Sequence, residues 1–259
     1  MNNYTFLQTY FELQKGIAID ELFDLDFAEV CFSHNDPSSF WNNALVNDIL
    51  VEEKISIIEE KLRSLKRNPA FYYENRSDLA DLTSLLQQHG YSQSAEDSWM
   101  FHNGNNIDET NFNLVRKVAN ENELEIFLDI LNKSYRKDDP LNPYGELSEY
   151  LKSARKAWED NHSNNRVEYF IVYKGGKHVA VSTLTNHDGI GYISNVGSLI
   201  AVRGEGFGKL ATMYCVSVSK KNGNTTHCLA TEENTNPNEF YNALGFKTQF
   251  RALLMEKKR

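Results

Sequence analysis

The stretch Arg203-Gly204-Glu205-Gly206-Phe207-Gly208-Lys209 joins an apolar run with strand character to an amphipathic run with helix character. Glycine reaches positive φ without a Cβ penalty, so a glycine-rich turn can aim successive amides to one side. The first turn of the following helix adds N–H groups with no intrahelical acceptor, at the positive end of the helix dipole. A chain with such a junction must place a strand beside a helix, with an anion-sized cradle of main-chain donors between them. The predicted class is therefore α/β (α+β).

The 259 residues allow one large domain or two small ones, and 41% hydrophobic with 24% charged residues is ordinary globular usage. No apolar run reaches membrane-spanning length. The polar, aromatic residues 1–14 lack a secretory pattern, so a soluble cytoplasmic protein is expected, without a membrane partner. Cys31, Cys215 and Cys228 show no ligand or redox spacing and read as reduced core thiols. The seven histidines have no metal-ligand spacing, so no metal is expected. Net charge is −9, but unevenly spread: residues 1–110 carry 7 Lys and Arg against 19 Asp and Glu, residues 111–259 carry 20 against 17. The acidic total argues against a nucleic-acid partner. The less acidic half holds the glycine loop, which suits a polyanionic small ligand.

In that half the predicted order is a strand at 113–118, helices at 121–134 and about 146–159, strands at 167–173, 178–185 and 191–201, then the glycine loop. A turn at 138–145 separates the two helices. A helix marked by Leu210, Met213, Tyr214, Val216 and Val218 follows the loop and stops at Asn222-Gly223. A strand at 226–231, a short helix at 238–244, Gly245-Phe246 and a strand at 248–256 close the chain. The first half echoes this ending: a helix at 51–65, a strand near 68–75, a helix at 77–88, Gly90-Tyr91 and a strand at 95–101. We read an internal duplication in which only the second copy keeps the loop, with residues 102–111 as the connection.

Dinucleotide enzymes place Gly-x-Gly-x-x-Gly after the first strand of a βαβ unit, and a P-loop needs Gly-Lys-Ser/Thr; this chain has neither. Arg203 to Gly208 instead resembles the Arg/Gln-x-x-Gly-x-Gly/Ala pyrophosphate signature of the GNAT superfamily of acetyl-CoA-dependent N-acetyltransferases. A second match is Asn234, Tyr241 seven residues later and Gly245-Phe246 four beyond that. Ile200-Ala201-Val202 departs from the proline-containing approach usual in that family.

The resemblance implies a mixed central sheet with a partial N-terminal repeat: a degenerate domain at 1–105 and a catalytic domain at 110–259. It implies acetyl-CoA as acyl donor, with pantetheine on the backbone of Ser198 and Leu199, and pyrophosphate on Val202, Arg203, Gly204, Glu205, Gly206, Phe207, Gly208 and Lys209. Asn234 shapes the turn or bonds the pantetheine. Tyr241 is the implied general acid to the leaving thiolate. Glu232 is the first-choice base, with Glu233, His187, Glu168 or a water chain beside it. In the first copy Leu86 stands where Tyr241 stands in the second, so that copy reads as catalytically dead. The implied acceptor is a primary amine of a small molecule or peptide, a cationic one suiting the acidic half. A homodimer is one assembly left open. The alternative is a noncatalytic acyl-CoA sensor or scaffold.

Overall fold

Asn120, extended at φ −155 and ψ 168, accepts from the Glu123 amide at 3.1 Å and so starts the helix that the Leu124, Phe127, Leu128, Leu131 spacing demands. Such local signals set most elements in the computed structural model, which describes residues 2–136, 138–139 and 147–257. The expected turn at 138–145 lies largely outside the described residues.

The elements run α1 (Asn3–Gln14), β1 (Glu21–Asp24), β2 (Glu29–Phe32), β3 (Ala44–Leu45), α2 (Glu52–Ser64), β4 (Ala70–Glu74), α3 (Ala80–Gln88) and β5 (Tyr91–His102). There follow β6 (Val115–Lys117), α4 (Glu121–Ser134), α5 (Ser148–Asn161), β7 (Val167–Lys174), β8 (Lys177–His187) and β9 (Ile190–Ser198). The chain closes with α6 (Phe207–Lys221), β10 (Thr226–Glu232), α7 (Asn236–Ala243) and β11 (Lys247–Lys257). It divides into two compact units: Met1–Trp99 with Ala230–Asn234 and Thr248–Arg259, and Met100–Leu229 with Thr235–Lys247. This differs from a cut between 105 and 110, because the last strand and the end of β10 belong to the first unit. The last strand joins it through a ladder: β11 pairs antiparallel with β4, Leu254 opposite Tyr72.

In the first unit β1, β2 and β3 pair antiparallel in turn, β3 pairs parallel with β4, and β11 separates β4 from β5. The cluster holding Ile55, Ile58, Leu62, Leu82 and Leu86 from α2 and α3 also holds Phe71 and Tyr73 of β4. Helix α1 brings Phe6 and Tyr10 edge-on to Trp99, with centroids 5.2 and 4.6 Å away.

In the second unit β6, β7, β8 and β9 form an antiparallel run, and β10 joins β9 in parallel. The β7–β8 hairpin turns at Gly175-Gly176 with φ 55 and 77, the sense that matches strand twist. β9 stops at Ser198, short of the expected residue 201, where Ile200–Val202 forms a 3-10 turn. Helix α6 lies close on β9: a Cβ built at Gly191 would fall 1.9 Å from Ser219 Oγ.

Candidate active site

β9 and β10 part company within a few residues. Their pairing ends with Cys228 opposite Tyr192, although β9 continues to Ser198. On its other side β9 carries an irregularity: Thr183 faces Ser194 and Val181 faces Gly197, leaving Asn195 and Val196 opposite Ser182 alone. Asn195 takes φ 52, a left-handed conformation that a short polar side chain tolerates. A β-bulge of this kind bends and twists its strand. The result is an open seam beside the second half of β9, where main-chain groups on the β10 side have no strand partner among the described residues.

At the end of that strand the backbone turns through Gly204 (φ 81) and Gly206 (φ 87) into α6. Gly206 occupies the N-cap with no side-chain cap bond. The first intrahelical bond is Leu210 N–H to the Gly206 carbonyl at 2.9 Å. Among the described residues, no backbone carbonyl accepts from the amides of Gly204, Gly206, Phe207, Gly208 or Lys209. Five donors, the positive end of the α6 dipole and the exposed Lys209 thus lie together in one turn, a chemistry suited to a multiply charged anion.

Other residues expected at this site hold the loop's shape. Leu199 donates its amide to the Val179 carbonyl at 3.0 Å, and its carbonyl accepts from Val202 at 3.0 Å. Its main chain is thus engaged on both sides, whereas Ser198 is the neighbour left to face the seam. Val202 packs partly buried against the unit's core and its carbonyl accepts from Glu205. Arg203 turns its guanidinium back to pair with Asp139 and to donate to the Ser134 carbonyl at 3.3 Å. Glu205 is neutralised by Lys174 at 2.5 Å.

Tyr241 lies on α7, part-buried against the core cluster that also receives Phe207, Val202 and Leu210. Its ring meets Phe240 at 5.0 Å and Phe246 at 5.8 Å. A Cβ at Gly208 would sit 3.4 Å from the Phe240 ring, so the first turn of α6 and the tyrosine-bearing helix are immediate neighbours. The Gly245-Phe246 pair stops α7: Gly245 takes φ 95, and the Phe246 amide bonds the Tyr241 carbonyl at 3.1 Å. The structure therefore brings the glycine loop and Tyr241 together.

Residues 232–234 fall in the first unit. Asn234 makes the turn into α7 at φ 60. Glu233 is engaged by Arg251 at 2.8 Å and by the Ser98 hydroxyl. Glu232 is part-exposed, and its charge helps burial push the neighbouring Asp97 carboxyl up to about 7. Glu168 is buried and saturated, by Lys117 at 2.8 Å, Asn222 at 2.6 Å and Asn186 at 3.1 Å. These bonds tie β7 to β6, β8 and the end of α6. His187 ends β8, part-exposed. The three thiols are buried, and burial raises Cys31 and Cys215 to about 12 and pushes Cys228 up as well, so none is a ready nucleophile.

Sequence reasoning missed Asn195, Tyr135 and Tyr150. Tyr135 donates to the Val196 carbonyl at 3.0 Å, and Tyr150 to Asn195 Oδ1 at 2.8 Å. The polar pair Ser194-Asn195 interrupting an apolar strand was the available signal. Among the described residues no group of three or more His, Cys, Asp or Glu side chains could hold a metal ion. No described helix is long and apolar enough to cross a membrane.

The acetyltransferase (GNAT) family model matches residues 124–246, which contain the seam, the loop and Tyr241. No curated protein matches the chain significantly. Among solved structures, a GCN5-related N-acetyltransferase from Kribbella flavida is 17% identical with a TM-score of 0.70, over 100% of this chain and 97% of that one. A GCN5-related N-acetyltransferase from Sphaerobacter thermophilus is 13% identical with a TM-score of 0.61, over 92% and 83%. A tandem GNAT protein from the clavulanic acid biosynthesis pathway is 12% identical with a TM-score of 0.56, over 90% and 79%. These likenesses speak for the fold, and the family match places the signature within it. Residues 124–246 thus match the acetyltransferase (GNAT) family, and the chain shares the fold of these GNAT structures, one of them a tandem protein.

Proposed function

We propose that this protein is an N-acetyltransferase that moves the acetyl group of acetyl-CoA to a primary amine without an acyl-enzyme. The reading rests above all on five amides between Gly204 and Lys209 that have no backbone acceptor among the described residues, beside a strand whose edge has opened. A diphosphate takes the amides, and the pantetheine arm adds to the free edge of β9 near Ser198 as an extra strand would. Arg203 acts from behind by fixing the loop to Asp139 and Ser134.

In the reaction, the amine nitrogen attacks the thioester carbonyl carbon, the C–N bond forms and the C–S bond breaks. Main-chain N–H groups at the bulge stabilise the oxyanion in passing. Tyr241 gives its phenolic proton to the departing CoA thiolate, and the proton from nitrogen leaves to Glu232 or to water. Bringing two substrates together in one orientation supplies much of the rate. The acidic residues 1–110 favour a cationic acceptor, small molecule or peptide.

The first copy lacks both halves of this machinery. Helix α2 has Glu52 and Glu53 in its first turn, where their charge occupies the end of the dipole that an anion would use, and Leu86 is a buried core residue. We therefore assign it a supporting role.

Calorimetry with CoA and thiol-release assays over an amine panel test the reading together. Wild type is expected to bind CoA and release thiol, and Tyr241→Phe to bind equally but turn over about 100-fold more slowly or less. CoA binding with no transfer by wild type would convert the assignment to an acyl-CoA sensor. No binding at all would remove it.

A further inference from the structure

The β9 bulge is tied down from outside the sheet. Tyr135, the C-cap of α4, donates its hydroxyl to the Val196 carbonyl at 3.0 Å. Tyr150, in the first turn of α5, donates to Asn195 Oδ1 at 2.8 Å, and Asn195 Nδ2 donates on to Thr183 Oγ1 at 3.1 Å. The two residues that received these bonds are the pair opposite Ser182, where the β8–β9 ladder skips. Tyr135 reaches this point because the end of α4 sits very close to β9: a Cβ at Gly197 would lie 2.7 Å from Ser134 Cβ and 3.2 Å from the Tyr135 ring.

A bulge leaves its extra residue out of the ladder, so the ladder does not fix the direction of its amides. Something else must. Asn195 also sits at φ 52, a conformation open to an asparagine but not imposed on it, so neighbouring bonds decide whether it is held. A hydroxyl on each bulge residue supplies that determination, and Asn195 relays it to β8. The arrangement is asymmetric in a useful way: Tyr135 satisfies a main-chain carbonyl, whereas Tyr150 holds a side chain and through it a backbone twist. Neither bond is made to the glycine loop, whose own anchors are Asp139 and the Ser134 carbonyl.

We infer that Tyr135 and Tyr150 are positioning residues, which hold the β9 bulge in the shape that aims its main-chain amides at the thioester carbonyl of the acyl donor. The inference rests on the proposed function and concerns one step of it, polarisation of the carbonyl. Affinity for CoA itself is carried elsewhere. The roles of the two ends of the donor molecule are thereby separated: the loop grips the diphosphate, and the clamped bulge reads the acyl group.

The test uses full-length protein and acetyl-CoA labelled with carbon-13 at the acetyl carbonyl, read by isotope-edited infrared difference spectroscopy, so no acceptor need be known. In wild type the bound carbonyl band is expected below its position in free acetyl-CoA, because hydrogen bonding weakens the C=O bond. In Tyr150→Phe, and in Asn195→Gly, which keeps the left-handed backbone accessible, most of that downshift is expected to be lost while calorimetric affinity for CoA stays as in wild type. Tyr135→Phe should lose part of it, and combining Tyr150→Phe with Asn195→Gly should lose no more than either alone. Retained CoA affinity in the same samples reports that the variants are folded. Should any one substitution unfold the protein, the other two carry the decision. A full downshift in the folded variants, or none in wild type, overturns the inference while leaving CoA binding in place. Failure of wild type to bind CoA overturns the functional reading instead.

Discussion

Gly206 and Gly208 lie two residues apart and ask different things of a side chain. At φ 87 an L-residue pays about 1 kcal/mol for the left-handed backbone, and relaxing that angle would rotate the amides of Phe207 and Gly208 away from a common centre. Gly208 is helical, and a Cβ there would rest 3.4 Å from the Phe240 ring, an ordinary contact. Gly208→Ala is thus expected to keep CoA affinity and fold at least as well. Gly206→Val should weaken CoA binding tenfold or more, by calorimetry on each purified variant. The importance of this loop was legible from the sequence because glycine spacing is a local signal. The orientation of Arg203 was not, because it depends on Asp139 and Ser134, over sixty residues away for both. The same is true of Leu199, whose amide is taken by Val179. A residue's identity shows what it can bond, and only the fold shows what it has already bonded.

Among elements, α4 was readable to its ends since periodicity, an asparagine cap and a closing polar residue agree. α1 was not. Its buried Phe6, Leu7, Tyr10, Phe11, Leu13 and Gln14 wrap too far round the helix to give a narrow stripe. Strands β1, β2 and β3 have four, four and two residues, too few for alternation to register. The seat of α6 on β9 gives an element-level prediction. Ser219 Oγ is held by His227 Nδ1 at 2.7 Å and lies where a Gly191 side chain would begin, so helix and strand must separate if one is added. Gly191→Ala is expected to cost about 1–3 kcal/mol and to lower the melting temperature by several degrees in a thermal scan.

On the scale of the whole molecule, the two units hold buried titratable groups of opposite sense. In the first, burial raises Asp97 to about 7, although the Tyr72 hydroxyl at 2.8 Å opposes the shift, and burial likewise raises Glu29 to about 7. The folded unit keeps protons on these carboxyls that an unfolded chain would release, so their contribution to stability falls as pH rises from about 4 to 7. In the second, burial lowers His102 and His227, with His102 and Lys220 adding to the effect on His227. There the unfolded chain binds the extra protons, and stability falls as pH drops through the ordinary histidine range near 6.5. Hydrogen exchange followed by mass spectrometry should show the first unit better protected at pH 5.5 than at pH 7.5, and the second unit worse. Asp97→Asn should flatten the first trend.

The repeated strand, helix, glycine-aromatic and strand order was legible, and the elements of both halves follow it. The ownership of the final strand was not, because the register of β11 on β4 joins residues 252–256 to 70–74 and no local pattern encodes so distant a partner. That ownership bears on how the protein is made. A ribosome adding roughly 5–20 residues per second releases β4 and β5 many seconds before it reaches the strand that belongs between them. Until residues 247–257 are made, the newborn first unit carries an open slot, and any nascent chain or chaperone that can lend a strand will find it waiting.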